Sequence, residues 1–203
     1  MSKYFYPCDF LLPKSNFEKW AVVACDQYTS EPEYWQEVEN FVGDTPSAFN
    51  LILPEAYLKS DNSARIEKIN KTMKEYIENG VFDTVENSMI YLEREVTGGK
   101  IRKGVLGLID LDEYSYEKNS SSLIRATEAT VLERIPPRVM IRKGAALEMP
   151  HIMLRIGDPN ETVIGPLTEK RDSFTKVYDF DLMQNSGHIK GYSVDENTAL
   201  EIQ

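Results

Sequence analysis

The strongest constraint on the fold is a pair of β-rich segments separated by a four-residue turn. Residues 89–96 and 101–109 are rich in isoleucine, leucine and valine, and Thr97-Gly98-Gly99-Lys100 lies between them. Glycine adopts the positive φ angles of tight hairpin turns at no steric cost. The sequence therefore predicts an antiparallel hairpin in which these two segments pair.

Residues 66–77 have the spacing of an amphipathic helix. The candidate capping residues Asp61, Asn62 and Ser63 stand at its start, and Asn79-Gly80 follows its end. The predicted buried stripe consists of Ile66, Ile69, Met73, Tyr76 and Ile77.

Another helix is predicted to begin after Ser30 and to end at Gly43. Ser30 and Glu33 have the spacing of a capping box, and glycine is common just past a helix end. The buried stripe predicted for this helix consists of Tyr34, Trp35, Val38, Phe41 and Val42.

The remaining elements follow from shorter patterns. They are a helical turn after Pro54, a final helix at residues 195–203, and strands at residues 20–25, 49–53, 151–156, 162–167 and 174–182. Because helices and strands do not alternate regularly, the predicted fold class is α+β, with a mixed, largely antiparallel sheet and flanking helices. Residues 1–203 are expected to form a single α+β domain, as the amino-terminal part of a longer protein.

Residues 123–155 reverse the charge of the chain. The whole sequence has a formal net charge of −10, yet this segment holds six basic residues against three acidic ones. The serines at 120–122 are predicted to cap a helix that runs to about Ile135, where Pro136-Pro137 breaks it before a second short helix. The arginines would then surround a bend between two helices.

Arg138 and Arg142 lie four residues apart, so on one helix their guanidinium groups share a face. Together they could hold one phosphate or carboxylate, to which arginine donates two parallel hydrogen bonds. Arg134, just before the bend, could join them. The alternative is that these arginines form surface ion pairs with Glu133, Glu148 and other acids.

Arg125 and Glu128 are three residues apart and also have two interpretations. They form a simple intrahelical ion pair, or Arg125 donates to a ligand while Glu128 orients it or acts as a base on a hydroxyl.

The loop at residues 26–30 joins a predicted strand to a helix N-terminus, where α/β proteins often bind ligands. Asp26, Glu31 and Glu33 would repel a bare phosphate, so a metal-bridged phosphate, an amine or a hydroxyl fits better. Asp26 is therefore a candidate to hold magnesium or to position a substrate amine, or it caps the turn. Gln27, in the same loop, is a further candidate for ligand binding.

Composition disfavours several function classes. A net charge of −10 disfavours nucleic acids and anionic membrane surfaces as partners, because binding to either relies on a basic surface. No apolar run approaches the roughly 20 residues of a transmembrane helix, and the first residues lack a secretory signal, which predicts a cytoplasmic protein. Cys25, with His151 or His188 as its base, is a weaker candidate for a cysteine hydrolase.

Three motifs resemble a known family. They are Trp20-Ala-Val-Val-Ala-Cys-Asp-Gln-Tyr-Thr29, Arg125-Ala-Thr-Glu128 and Glu133-Arg-Ile-Pro-Pro-Arg138. They resemble the amino-terminal half of an uncharacterised bacterial family, the domain of unknown function numbered ten-fifteen.

This resemblance implies relatives about twice as long, whose later half carries an Asp-Gly-Asn-His type segment. That segment is similar to the phosphate-contacting motif of ParB-like and sulfiredoxin-like proteins, and it is absent from this sequence. Family genes are expected beside serine-biosynthesis genes, which favours phosphoserine or nucleotide chemistry.

These observations predict part of an enzyme that binds a small phosphorylated metabolite or nucleotide, for phosphoryl transfer or hydrolysis, with magnesium accompanying a nucleotide. A non-catalytic anion-binding or interaction module that uses the same arginines is the alternative. The sequence predicts neither the catalytic residues nor the oligomeric state. The predicted binding residues are Asp26, Gln27, Arg125, Glu128, Arg134, Arg138 and Arg142.

Overall fold

The computed structural model describes residues 4–22, 30–57, 61–96, 98–126, 129, 131–149 and 151–202. The helices in these residues are α1 (Phe17–Trp20), α2 (Pro32–Val42), α3 (Ser63–Glu78), α4 (Ile135–Gly144), α5 (Ile164–Lys170) and α6 (Glu196–Ile202). The strands are β1 (Phe5–Tyr6), β2 (Cys8–Pro13), β3 (Phe82–Val96), β4 (Lys100–Leu106), β5 (Leu108–Ile109), β6 (Tyr114–Ser115), β7 (Ile124–Arg125), β8 (Thr175–Asp181) and β9 (His188–Val194).

An antiparallel sheet of five of these strands forms the centre of the fold. Its order is β2-β3-β9-β8, and β4 also pairs with β3. The predicted hairpin is confirmed, because Val96 pairs with Lys100 and both glycines of the turn have positive φ, +93° at Gly98 and +74° at Gly99. The fold class is α+β, as predicted.

Helices pack on the sheet and on one another in three apolar clusters. The first lies where α5 and α6 meet the sheet, and includes Tyr91 and Leu167. The second surrounds Trp35 of α2. The third includes Met73 of α3 and Ile141 of α4, and it fixes the position of α4 on α3.

The helix predicted around residues 66–77 is confirmed as α3, which runs from Ser63 to Glu78. Ile69 and Met73 are buried, whereas Ile77 at the edge of the predicted stripe is exposed. Among the candidate capping residues, the Asp61 carboxylate accepts a hydrogen bond from the backbone N–H of Ser63 at 3.0 Å. This contact ties the entry of the helix to the preceding chain.

The predicted helix that ends at Gly43 is also confirmed, as α2, but its start differs from the prediction. Glycine suits position 43 because φ there is +57°. The N-cap is Glu31, which makes no side-chain capping bond, and Pro32 occupies the first turn. The predicted capping box is therefore wrong, because proline supplies the starting φ and needs no N–H partner there.

Two predicted strands near the N-terminus are not strands where they are described. Trp20 ends α1, residues 21 and 22 have no regular structure, and residues 23–25 lie outside the described residues. Residues 49–53 overlap a 3-10 turn at Ala48–Leu51. Ser47 causes this turn, because its hydroxyl accepts a hydrogen bond from the backbone N–H of Phe49 at 3.1 Å.

The strands predicted at residues 151–156 and 162–167 are also wrong. The first segment has no regular secondary structure, and the second overlaps α5. The Asp158 carboxylate accepts hydrogen bonds from the backbone N–H groups of Thr162, Val163 and Ile164, at 2.7, 2.9 and 3.2 Å. Those bonds start the helix and lower the pKa of Asp158 to about 2.

The helix predicted to precede Pro136-Pro137 is wrong in the described residues. Ser120 and Ser122 accept hydrogen bonds from backbone N–H groups two residues further on, at 3.0 and 3.2 Å. Such local bonds compete with helix formation. Residues 124 and 125 form β7 instead, which pairs in parallel with β6, and a 3-10 turn at Leu132–Arg134 leads into α4. In the part of this stretch that the structure describes, no helix precedes the prolines, so the predicted bend between two helices is absent there.

The remaining predictions are confirmed at β8, at α6 and at the 3-10 turn Glu55–Tyr57 after Pro54. Sequence reasoning missed β2 and β9. Within the described residues, no helix combines the length and the apolar character that crossing a bilayer requires.

Candidate anion-binding site

The candidate site lies on α4, whose start and packing both follow from its sequence. Pro136 and Pro137 lie in the first turn, where a backbone N–H has no intrahelical acceptor. Near the other end, a Cβ added to Gly144 would lie 2.6 Å from the side-chain nitrogen of Asn70 on α3. Glycine at this position therefore allows α4 to lie close against α3.

Arg134, Arg138 and Arg142 form a row along α4. Arg134 is the N-cap residue and the other two follow at intervals of four residues, so neighbouring side chains lie on the same side of the helix. We call these three residues the arginine row. Because two prolines remove N–H donors from the first turn, an anion bound here would depend on the guanidinium groups.

Both ends of the arginine row are neutralised by carboxylates. Arg134 forms an ion pair with Glu55, which lies in the 3-10 turn before α3. The Nε and Nη2 atoms of Arg142 lie 3.1 and 2.5 Å from Oε1 of Glu148. These contacts match the ion-pair interpretation of the two arginines. The Arg142–Glu148 pair is exposed, so it contributes only about 0–1 kcal/mol to stability, whereas Glu55 is half-buried.

Arg138 differs from its two neighbours. Its side chain is exposed, and it forms no ion pair or hydrogen bond with any residue that the structure describes. Arg138 therefore presents its five N–H donors to solvent at the middle of the row. The arginine on either side of it is already paired with a carboxylate.

The other predicted binding residues are not part of this row. Arg125 lies on β7, paired with Ser115 of β6, and it is exposed. The helix predicted at Arg125 is therefore wrong, and its predicted pairing with Glu128 involves a residue outside those described. Glu128, Asp26 and Gln27 lie outside the described residues.

An open pocket of about 480 Å³ lies beside β6, and sequence reasoning missed it. Hydroxyl and carboxylate groups dominate its lining, and none of the lining residues is basic. This chemistry disfavours an anion. The lining residues are Tyr4, Asp112, Glu113, Tyr114, Ser115, Ser120, Ser121, Ser122 and Leu123.

The described residues offer little support for metal or thiol chemistry. No three histidine, cysteine, aspartate or glutamate side chains among them are grouped so as to hold a metal ion. Burial and the carboxylate of Asp9 raise the pKa of the Cys8 thiol, which disfavours the reactive thiolate. Cys25, the nucleophile of the weaker alternative, lies outside the described residues.

His188 is held between two carboxylates. Its Nδ1 lies 2.6 Å from Oδ1 of Asp181, and its Nε2 lies 2.5 Å from Oδ1 of Asp179. Both contacts are hydrogen bonds only when each ring nitrogen carries a proton. The hydrogen bonds to Asp181 and Asp179 raise the pKa of His188, which favours the protonated form that cannot act as a general base.

We expect the raised pKa of His188 to make stability fall as the pH rises. The folded state holds the proton more tightly than the unfolded chain, so the stabilisation is complete below the ordinary histidine pKa of about 6.5. It is lost as the pH rises through the folded-state pKa of His188. Urea unfolding at several pH values should show this loss in the wild type and a smaller one in His188→Gln.

His151→Gln is the matched control for this pH experiment. His151 is exposed and makes no hydrogen bond to a carboxylate of the described residues. Desolvation lowers the pKa of His151, against the opposing effect of Glu148, so its own contribution to stability rises with pH. Its replacement should therefore leave the decrease intact or make it steeper. The same pH dependence in the wild type and in His188→Gln would contradict the expectation.

Comparison with known proteins gives one match. The model of a family described as "Protein of unknown function (DUF1015)" matches residues 6–202, which is nearly the whole chain. No curated protein and no solved structure matches. The family match agrees with the resemblance of the three sequence motifs. The chain therefore belongs to the DUF1015 family of proteins of unknown function.

Proposed function

We propose that this protein binds a small anionic ligand at the arginine row, with Arg138 as the principal contact. The observation that carries the proposal is the difference between Arg138 and its neighbours. Arg134 and Arg142 are paired with carboxylates, whereas Arg138 has no partner among the described residues. Its guanidinium group is the one in the row that can accept an anion without first breaking an ion pair.

A phosphorylated metabolite or nucleotide is the proposed class of ligand. A phosphate accepts two parallel hydrogen bonds from one guanidinium group, a geometry that Arg138 can provide. The surrounding segment is basic in a chain of net charge −10, so a local positive field would oppose the general repulsion of anions. Magnesium would enter with a nucleotide.

Phosphoryl transfer or hydrolysis is the proposed reaction. In such chemistry the dominant need is stabilisation of charge on the phosphoryl oxygens, which arginines supply. Asp26 and Glu128 would orient the metal, amine or hydroxyl of the substrate, and Gln27 would contribute to binding. These roles of Asp26, Glu128 and Gln27 are inferred from their positions in the sequence.

Isothermal titration calorimetry tests the binding proposal. Phosphoserine, inorganic phosphate and ATP with magnesium are titrated into the wild type and into Arg138→Gln. We expect at least one ligand to bind and the variant to bind it about tenfold more weakly or worse, because a hydrogen bond to a charged group is worth about 1.5–3 kcal/mol.

Arg155→Gln is the matched control for this titration. Arg155 is exposed, belongs to the same basic segment and lies outside α4. Its replacement therefore removes one positive charge from a position that is not part of the row. The control should retain binding. Equal losses in the two variants would indicate a general charge effect, and no binding of any of the three ligands to the wild type would overturn the proposal.

A non-catalytic interaction module is the second candidate, and one observation favours it. The surface of α4 beside the arginine row is apolar and exposed, notably at Val139 and Met140. A site that serves only a small anion has no need of such a surface. Turnover of a phosphorylated substrate by the wild type, with loss in Arg138→Gln, would favour the enzyme.

A further inference from the structure

The outward side of α4 carries exposed apolar side chains, with the exposed Lys143 among them. Leu132 in the preceding 3-10 turn is 78% exposed and Met140 is 49% exposed. Ile135 and Val139, one helical turn apart, are also exposed. We call these four residues the outer face of α4. A surface helix normally has polar residues on the side away from its core, so this pattern is typical of an interface.

The arginine row gives this surface a basic border. The row lies between the face that packs on α3 and the outer face, as expected from the positions of its residues around the helix. Glu55 and Glu148 neutralise its ends, whereas Arg138 has no carboxylate partner among the described residues. A complementary partner would therefore combine exposed apolar side chains with carboxylates.

The chain itself contains such a segment at residues 108–117. Leu111 is 72% exposed and Tyr116 is 83% exposed, and Leu108 is also exposed. Between and beside them lie four carboxylates, from Asp110, Asp112, Glu113 and Glu117. We call residues 108–117 the acidic segment. It contains no basic residue, and three of its apolar side chains face solvent in the folded chain.

We propose that two copies of this chain associate through contact of the acidic segment of one copy with the outer face of α4 of the other. Apolar side chains of both copies would be removed from water, and carboxylates of the segment would lie along the basic border at Arg138. Each copy has both surfaces, so two copies related by a two-fold axis would make this contact twice, whereas a head-to-tail arrangement would make it once per pair.

Salt should weaken this association. Attraction between carboxylates and the arginine border is screened as ionic strength rises, whereas purely apolar contacts are insensitive to salt or are strengthened by it. Sedimentation velocity of the wild type should therefore show association that increases with protein concentration and decreases with sodium chloride concentration.

Two variants test the contact from its two sides. Val139→Asp places a negative charge in the outer face, and Asp112→Arg reverses a charge in the acidic segment. Both residues are exposed, so both variants should fold, which circular dichroism and thermal unfolding verify. Each variant alone should associate about tenfold more weakly or worse, because like charges would oppose each other across the contact.

Mixing the two variants provides the decisive result. Val139→Asp retains an intact acidic segment and Asp112→Arg retains an intact outer face, so an equimolar mixture can re-form one contact. Association should return in the mixture. Leu200→Asp, at an exposed apolar position on α6, is the matched control and should associate like the wild type.

Several results would overturn the proposal. They are a wild type that stays monomeric up to millimolar concentration, a mixture that stays as monomeric as its components, and loss of association in Leu200→Asp as well. The outcome is separable from the anion site, because Val139→Asp leaves Arg138 in place. Phosphate binding that survives in monomeric Val139→Asp would support both proposals independently.

Discussion

Replacing Gly187 by alanine is expected to destabilise the fold by about 2–4 kcal/mol, combining the cost of a positive φ with that of a steric clash. Gly187 precedes β9 and has φ of +107°. A Cβ added there would lie 1.7 Å from the carbonyl oxygen of Glu95 on β3. Because the obstacle is backbone in the central strand, no side-chain movement can relieve the contact. Urea unfolding followed by circular dichroism measures the loss.

Gly98→Ala provides a matched control for this substitution. Gly98 has a similar φ of +93°, but no atom lies within 4 Å of the position that a Cβ would occupy. Gly98→Ala should lower the free energy of unfolding by only about 1 kcal/mol, which is the cost of placing alanine at positive φ. An equal decrease in the free energy of unfolding for Gly187→Ala and Gly98→Ala would contradict the close approach of Gly187 to β3.

The second large effect is expected at Trp35. This side chain is 1% exposed, and its ring lies 5.1 Å from that of Tyr34 and 6.1 Å from that of Phe49, between centroids. Trp35→Ala should lower the free energy of unfolding by about 3–5 kcal/mol, because it removes buried apolar surface and leaves a cavity. The same urea experiment measures this loss.

Phe41 on the same helix is the control. The sequence pattern placed both aromatic residues in one buried stripe, yet Phe41 is 39% exposed in the structure. Phe41→Ala should therefore cost much less, about 1 kcal/mol. If the two substitutions destabilised the protein equally, the observed orientation of α2 would be contradicted.

The parts of the fold that the sequence predicted are those whose signals are local. The hairpin turn at Gly98-Gly99 and the periodicity of α3 are each specified by a few adjacent residues, and both are confirmed. The strands predicted near residues 49 and 162 are helical instead, because Ser47 and Asp158 accept hydrogen bonds from nearby backbone N–H groups. An apolar run of five or six residues does not distinguish these two outcomes.

The candidate site was predictable to a similar extent. The four-residue spacing of Arg138 and Arg142 predicted that they share a helix, and α4 confirms this. The ion pair between Arg134 and Glu55 could not be predicted in the same way. The two residues are remote in sequence, and no local pattern relates them. Arg125 was placed on a helix because its serine-rich neighbours resemble a cap, whereas those hydroxyls stabilise turns.

The most direct test of the anion site is a crystal structure of the protein with bound phosphoserine or phosphate. We predict phosphate oxygens within about 3 Å of the guanidinium nitrogens of Arg138, with the Arg134–Glu55 and Arg142–Glu148 pairs retained at the ends of the row. Phosphate bound only elsewhere, or an Arg138 side chain already paired with a carboxylate of its own chain, would contradict this account.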